Sequence, residues 1–369
     1  MRLKKRESKA REFTYAAAGV DRAARARAKK FGLLEATLPS GWRRTPFNNL
    51  VPLDAARYCL LTVDGVGTKI LVAQLAQKLG LADSRVHENI GVDAIAMVAN
   101  DCVRCGARPI AFADTLDACR SEPTLISAIA RGLARAAREA GAPVAGGETA
   151  DVRELVRGLR GVNAYSLNAS CFGVVERSRV IDGSRIRAGD AVVGLRSSGF
   201  HANGFSLARR VLFKEWGGLY DAEDKPKGLK RALALELLAP TRIYVKNVLA
   251  AVKEFEVRGA VHVTGDAYAK FLKLTPFCGC GFEFNNFKPQ PVFGLIQSAA
   301  EELGGAVFNA EMFRTFNMGW GFALIVPQKQ ADSLCSFLKR HGENAEVIGA
   351  ATKNKSVAIR FQGEKIVLR

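Results

Sequence analysis

The sequence predicts an α/β (α+β) fold in two domains, and three observations carry that prediction. Strand-length apolar runs alternate with helical stretches in both halves. The chain has 369 residues, which at roughly 150 residues per domain makes two domains able to bury their own cores. Hydrophobic residues form 48% and charged residues 24%, the proportions of a globular protein rather than a disordered or fibrous one. The expected division is a basic arm over 1–30, a first domain over 31–173 and a second over 174–369.

Residues 1–30 read as an exposed helix with a short apolar-aromatic centre at Phe13–Val20. Residues 36–52, with Pro39, Gly41, Pro46 and Pro52, read as a loop. A strand over 58–63 runs into the turn DGVGTK (64–69), and a helix follows. Residues 91–105 form a helix, 109–116 a strand, and 124–140 a helix with Ile126, Ile129, Ala130, Leu133 and Ala137 on one stripe. PVAGGETAD (143–151) reads as a strand entering a glycine turn, and 167–177 as a further strand. Beyond a boundary near Gly173–Ser178 come a strand and loop in 187–199, the helix FSLARRVLF and a surface loop over 214–232. An amphipathic helix over 241–255, strands near 258–263 and 321–327, another helix and a closing pair of strands complete the chain.

The charge balance is 54 basic against 36 acidic side chains, a formal +18, and residues 1–30 hold 11 basic and 3 acidic of them. That arm reads as a solvated extension; a nucleic-acid or membrane-surface arm is a second reading, and long-range attraction of a polyanionic small substrate a third. No RNA-binding aromatic motif, zinc finger or helix-turn-helix supports nucleic acid as a partner. No apolar run approaches the roughly 18–20 residues that span a bilayer, and the basic start lacks an apolar signal core, so a cytoplasmic protein is expected. The eight cysteines are read as reduced thiols. CVRC (102–105) has metal-like spacing, but no second pair accompanies it, and no structural metal is expected.

Four segments share one character, a strand running into a glycine-rich turn with an acid or hydroxyl: TVDGVGTK (62–69), AGGETAD (145–151), RSSGFHANG (196–204) and HVTGD (262–266). Glycines let backbone amides approach an anion, while Thr68, Ser197, Ser198 and Lys69 add donors and charge. Together they point to a large anionic ligand, or two. Asp93 and Asp101 lie eight residues apart on one helix, about 12 Å along its axis, so one ion cannot bridge them. Several magnesium ions along a triphosphate can engage both; alternatively both are ordinary helix acids. His201, in a glycine-rich loop before a helix, is placed to pass a proton or to hold its loop by a hydrogen bond. His262 ends an apolar strand and reads first as a satisfied core histidine. No Walker A or dinucleotide-binding pattern occurs.

The run Asp101-Cys-Val-Arg-Cys-Gly-Ala-Arg-Pro109 resembles the Asp-x-x-x-x-Gly-Ala-x-Pro signature of a superfamily of ATP-dependent enzymes. YAAAGVD, TVDGVGTK, GVDAIAMVANDCVRCGARP, GGETAD, SSGFHANG, LLAPTRIYV, HVTG and MFRTFNMGWGF, in this order, resemble the aminoimidazole ribonucleotide synthetase family, in an archaeal-like form. The match runs from about residue 15 to about residue 350. The resemblance implies ATP-dependent ring closure of formylglycinamidine ribonucleotide in purine synthesis, with ATP as cosubstrate and Mg²⁺. It also implies a homodimer whose N-terminal domains pair into a barrel-like sheet.

By position, the resemblance implies that Asp64, Gly65, Gly67, Thr68 and Lys69 contact the ATP phosphates and metal. Asp64, Asp93 and Asp101 would hold magnesium, and Gly146, Gly147, Glu148 and Thr149 would line the same region. Ser197, Ser198, Gly199, His201 and Asn203 would face the ribonucleotide, and His262, Thr264 and Gly265 would close its pocket. Lys69, His201 and Asn203 are the expected catalytic groups, with His201 read here as the proton shuttle. Lys29 and Lys30 would close over ATP. One departure is sharp: Asp266-Ala267-Tyr268 follows Gly265 where the family continues with glycine or serine. A carboxylate beside a phosphate-bearing substrate repels it unless it faces a cation or points away. The rival readings are a related enzyme phosphorylating another acceptor and a retired enzyme fold that binds nucleic acid.

Overall fold

The computed structural model describes residues 11–22, 24 and 32–368. Most of the basic arm, with Lys29 and Lys30, lies outside the described residues. Two sheets organise the rest, one in each half of the chain.

The first sheet holds β2 (Arg43–Arg44), β3 (Asn49–Pro52), β4 (Arg57–Gly65), β5 (Arg108–Ala118), β6 (Val144–Asp151) and β7 (Tyr165–Glu176) in the order β2-β3-β4-β7-β5-β6. β7 runs antiparallel to β4 and β5, and β6 parallel to β5, so β4, β5 and β6 end at one edge. Residues along β7 alternate between buried and partly exposed, the period of two of a sheet covered on one face. The cover consists of α2 (Val86–Val103) and α3 (Pro123–Ala140), with α1 (Lys69–Lys78) beside them. α2 and α3 cross in close contact at two glycines: a Cβ on Gly91 would lie 2.3 Å from the Ile129 carbonyl oxygen, and one on Gly132 2.0 Å from that of Glu88. The other face of the sheet is open, with Leu61 70% and Val63 73% exposed.

The second sheet has seven strands in the order β15-β14-β10-β13-β8-β12-β9. They are β8 (Ala191–Arg196), β9 (Gly259–His262), β10 (Gly281–Phe284), β12 (Trp320–Val326), β13 (Ala345–Thr352), β14 (Val357–Phe361) and β15 (Glu364–Leu368). Every residue of β12 is buried, as expected for a continuous apolar run in mid-sheet. The main helices of this half are α4 (Phe205–Leu212), α5 (Val245–Glu254), α6 (Pro291–Glu302), α7 (Asn309–Thr315) and α8 (Ala331–Arg340).

Four expectations need correction. Residues 36–52 are not loop throughout, because β2 and β3 lie within them, β3 pairing with β2 and with β4. The segment directly after β1 (Arg11–Glu12) is not a helix: β1 pairs in parallel with β11 (Gly305–Ala306), Phe13 is buried, and a turn follows over 15–19, helical conformation within the arm being described only at Arg22 and Ala24. An open strand edge in the second half satisfies its backbone better than an isolated short helix could. AGGETAD is not a glycine turn but the edge strand β6 itself. A Cβ on Gly147 would lie 2.7 Å from the Asp114 Oδ1 on β5, a side-chain end that could turn aside. The helix expected from residue 241 starts at Val245, because backbone N–H groups before it are held by α2 side chains: Thr241 N–H donates to Asp93 and Tyr244 N–H to Asn100.

Candidate active site at the seam between the two halves

Two strand-turn-helix units, one from each half, meet head to head. β4 ends in the Gly65–Thr68 turn that starts α1, and β8 ends in the 197–204 loop that starts α4. Their first turns touch, with Thr68 Oγ1 3.3 Å from Ser206 Oγ. Two helix N-termini therefore lie side by side, and helix N-termini are sites that suit phosphate.

Acids stand beside them. Asp64, near the end of β4, accepts the Gly65 N–H at 2.8 Å. Burial, and next the negative charge of Asp101, push its carboxyl above the usual range. Asp101, in the last turn of α2, accepts from Arg104 Nη1 at 2.9 Å and from His262 Nδ1 at 2.8 Å, both at Oδ1. Burial alone would raise the Asp101 carboxyl, but Arg104, the His262 N–H and Lys270 outweigh it and hold the group well below the ordinary range. Asp101 Oδ2 has no hydrogen bond among the described residues. A pair of mutually repelling carboxylates with free oxygens is the donor set a hard divalent cation relieves. No cluster of three or more ligating side chains occurs among the described residues. A magnesium ion here would therefore take one or two carboxylates and complete its shell with phosphate and water oxygens.

His262 is fully buried, lies face to face with Phe322 and stays neutral, its pKa lowered to about 4 by burial. It orients Asp101. Lys270 is buried beside it, donating to the His262 carbonyl at 3.1 Å and to Thr264 Oγ1. Burial lowers the Lys270 ammonium to about 8, against the pull of Asp101.

Lys69 and Asp93 occupy a different post. Both are 0% exposed, and Lys69 Nζ lies 2.7 Å from Asp93 Oδ2. Lys69 also donates to the Ala239 carbonyl at 2.7 Å, while Asp93 Oδ1 accepts from the Thr241 N–H at 2.7 Å and its hydroxyl at 2.6 Å. The structure pairs Lys69 with Asp93, a contact that does not test the expectations that Lys69 contacts phosphate and that Asp93 binds magnesium. Their charges are consumed in a buried ion pair tying α1 and α2 to the 239–241 segment of the other half.

The 197–204 loop is held from several sides. Gln290 Nε2 donates to the Ser197 carbonyl at 2.9 Å, Ser198 Oγ donates to the Pro240 carbonyl at 2.6 Å, and Asn317 Nδ2 donates to the Gly199 carbonyl at 2.8 Å. His201 has a left-handed backbone, φ 63°, and is 1% exposed. Its Nε2 accepts the Ser198 N–H at 3.2 Å, and burial keeps the ring neutral, far below the usual histidine range. That bond ties the ring to Ser198 within its own loop, and His201 Nδ1 is buried with no hydrogen-bond partner among the described residues. Asn203 extends to the turn that follows β9, since a Cβ on Gly265 would lie 3.0 Å from Asn203 Oδ1. Asp266 faces a cation: Arg22 Nε lies 3.2 Å from its Oδ1.

Gly146, Gly147, Glu148 and Thr149 are exposed on β6, away from the seam. Gly147, Asp114, Ala169 and Asp64 form one row across the sheet, so β6 lies three strands from Asp64. Sequence reading missed Arg104, Lys270, Asn100, Thr241 and Asn317. Lys270, a lone lysine in the apolar run AYAKFL, carried the one faint signal. The cysteines of CVRC are core volume, with Cys102 and Cys105 buried; among the described residues all eight cysteines are free.

The class follows from these two halves: residues 48–175 match the N-terminal and residues 187–362 the C-terminal domain of AIR synthase related proteins. The fold is shared with HypE of a HypE–HypF complex, at 18% identity and TM-score 0.59 over 94% of this chain and 97% of that one. It is shared too with T. maritima PurL complexed with ATP, at 13% identity and TM-score 0.54 over 86% of this chain and 44% of that one. Phosphoribosylformylglycinamidine cyclo-ligase of Syntrophus aciditrophicus is 39% identical over 292 residues, 79% of each chain. That of Pyrococcus furiosus is 36% identical over 362 residues, 96% of this chain and 99% of the relative. The chain belongs to the phosphoribosylformylglycinamidine cyclo-ligase family, a family of ligases.

Proposed function

We propose that the protein closes the imidazole ring of aminoimidazole ribonucleotide from formylglycinamidine ribonucleotide, consuming ATP. The γ-phosphoryl group of ATP passes to the formyl amide oxygen and ADP departs. The amidine nitrogen then attacks the activated carbon, and phosphate leaves with that oxygen. The observation that carries the reading is the Asp64–Asp101 pair beside two adjacent helix N-termini, in a chain of this family.

The residues divide the work by position. Asp64 and Asp101 would hold magnesium, which when bound supplies charge neutralisation along the triphosphate. The Gly67 and Thr68 amides at the start of α1 would cradle phosphate. Ser198, Gly199 and Asn203 would face the ribonucleotide, with Thr264 and Gly265 closing the pocket and Lys270 adding positive charge at its wall. His201, His262, Lys69 and Asp93 act as positioning residues. The open face with Leu61 and Val63 supports a homodimer through the first sheet, since an apolar face of this kind marks an interface. In that assembly β6, with Gly146–Thr149, would approach the partner's ATP site. No helix among the described residues is long and apolar enough to cross a membrane, and we place the protein in the cytoplasm.

The test is product mass spectrometry with ATP, magnesium and formylglycinamidine ribonucleotide. Substrate-dependent ADP matched one for one by aminoimidazole ribonucleotide is expected. ADP without the ring-closed product would redirect the reading to another acceptor, and folded protein yielding no ADP would overturn it.

A further inference from the structure

We infer that Arg22 and Asp266 form a clasp by which the N-terminal segment neutralises and holds the turn bordering the substrate pocket, making Arg22 a positioning residue. The inference rests on the reading of the 264–266 turn as the pocket's closing element. Asp266 and Ala267 both have left-handed backbones, φ 67° and 37°; an aspartate takes that conformation readily, an alanine only when its surroundings hold it there. From within, the Ala267 N–H donates to the Thr264 carbonyl at 2.6 Å, and Lys270 grips the His262 carbonyl and Thr264. From without, Arg22 Nε lies 3.2 Å from Asp266 Oδ1, an ion pair without a hydrogen bond.

Arg22 is itself fixed by other partners. Nη1 lies 3.3 Å from Glu311 Oε1, Nη2 donates to the Arg314 carbonyl at 2.9 Å and to Thr315 Oγ1 at 2.8 Å, and the guanidinium lies 4.7 Å from the Tyr15 ring centre. The segment before it is anchored by the β1–β11 pairing, by buried Phe13, and by the Tyr15 N–H donating to Glu311 at 3.1 Å. The planar, five-donor guanidinium suits such a junction; a lysine could not reach all these acceptors. The clasp accounts for the carboxylate at position 266: its charge is opposed by Arg22 before a phosphate-bearing substrate meets it. The same contact ties the arm's entry to the turn that touches Asn203.

Four proteins test this: wild type, Arg22→Ala, Asp266→Asn and the double variant; asparagine tolerates the left-handed backbone. Arg22→Ala is expected to raise KM for formylglycinamidine ribonucleotide by about tenfold with kcat within about twofold, because Asp266 is then uncompensated. Adding Asp266→Asn is expected to bring KM back to within about threefold of wild type, whereas two merely structural losses would add. Amide hydrogen exchange over residues 15–20 is expected to accelerate by about tenfold or more in Asp266→Asn. A double variant with KM as high as that of Arg22→Ala overturns the charge argument. If wild type forms no ring-closed product, the functional reading falls, and unchanged exchange in Asp266→Asn then overturns the clasp on its own evidence.

Discussion

Asp93 and Asp101 sit eight residues apart on the same helix and hold opposite posts. Asp93 is 0% exposed, with Lys69 on one oxygen and Thr241 on the other. Asp101 keeps Oδ2 without a hydrogen bond and shares its surroundings with a second carboxylate. One acid is satisfied by the protein; the other is held in the charged state and left incomplete. A carboxylate whose needs are met internally is architecture, and one held charged with an oxygen left without a hydrogen bond is poised for a ligand. In this molecule the two lie within a few helical turns because α2 spans the seam between the halves.

The largest effect that sharpens this contrast is on stability. Asp93→Ala strands the Lys69 ammonium in the core and is expected to cost about 3–5 kcal/mol, read as a lowered midpoint in urea. Lys69→Met combined with Asp93→Asn removes both charges and keeps an acceptor for Thr241. The pair is expected to recover most of that loss and to retain kcat within about tenfold of wild type, since neither group is then asked to touch ATP. A folded double variant without ATP turnover would return Asp93 to the metal site.

The second effect falls on activity. Asp64→Asn removes one of two repelling charges, so its folded stability should be unchanged or slightly raised. Its turnover is expected to fall by about 10²–10³-fold, the scale on which a preorganised charge contributes to transition-state stabilisation. ATP-dependent turnover measured across a magnesium titration checks both parts: the loss should persist at saturating metal. A variant that is unstable and still active would exchange the roles assigned to the two aspartates.

What the sequence made legible divides along the same line. The strand-turn-helix units at 62–69 and 196–204 were readable because local chemistry announces them: glycines at the turn, a hydroxyl at the helix start. AGGETAD shares that composition but forms an edge strand paired in parallel with β5, a long-range pairing that its glycines do not announce. The helical spacing showed that Asp93 and Asp101 cannot share an ion; which of them faces inward depends on Lys69 and Thr241, 24 residues before and 148 after Asp93. Arg22 and Asp266 meet across a still longer stretch of chain. Long-range pairing leaves no periodicity, and charge counts cannot anticipate it.

The smallest effect concerns two histidines that meet α2. His87, near its start, hydrogen-bonds Tyr165 Oη and Gln77 Oε1, each at 2.8 Å, and burial lowers its pKa to about 4. His262 lies against Asp101 near the other end and is lowered to about 4 by burial as well. Both bind a proton more readily in the unfolded chain, where the ordinary value is about 6.5. The unfolded state therefore gains protons first as pH falls, and stability is lost between about pH 6.5 and about pH 4, by up to about 1.4 kcal/mol per pH unit for each histidine. The two differ in what they touch. His87 has only neutral partners, whereas His262 donates to the Asp101 carboxylate. Because both values are lowered to about 4, His87→Phe and His262→Phe are expected to flatten the acid limb of the urea-midpoint profile about equally. His262→Phe should in addition depress turnover at pH 7, where Asp101 has lost the N–H that orients it. Unchanged turnover in His262→Phe would show that Asp101 needs no orienting partner.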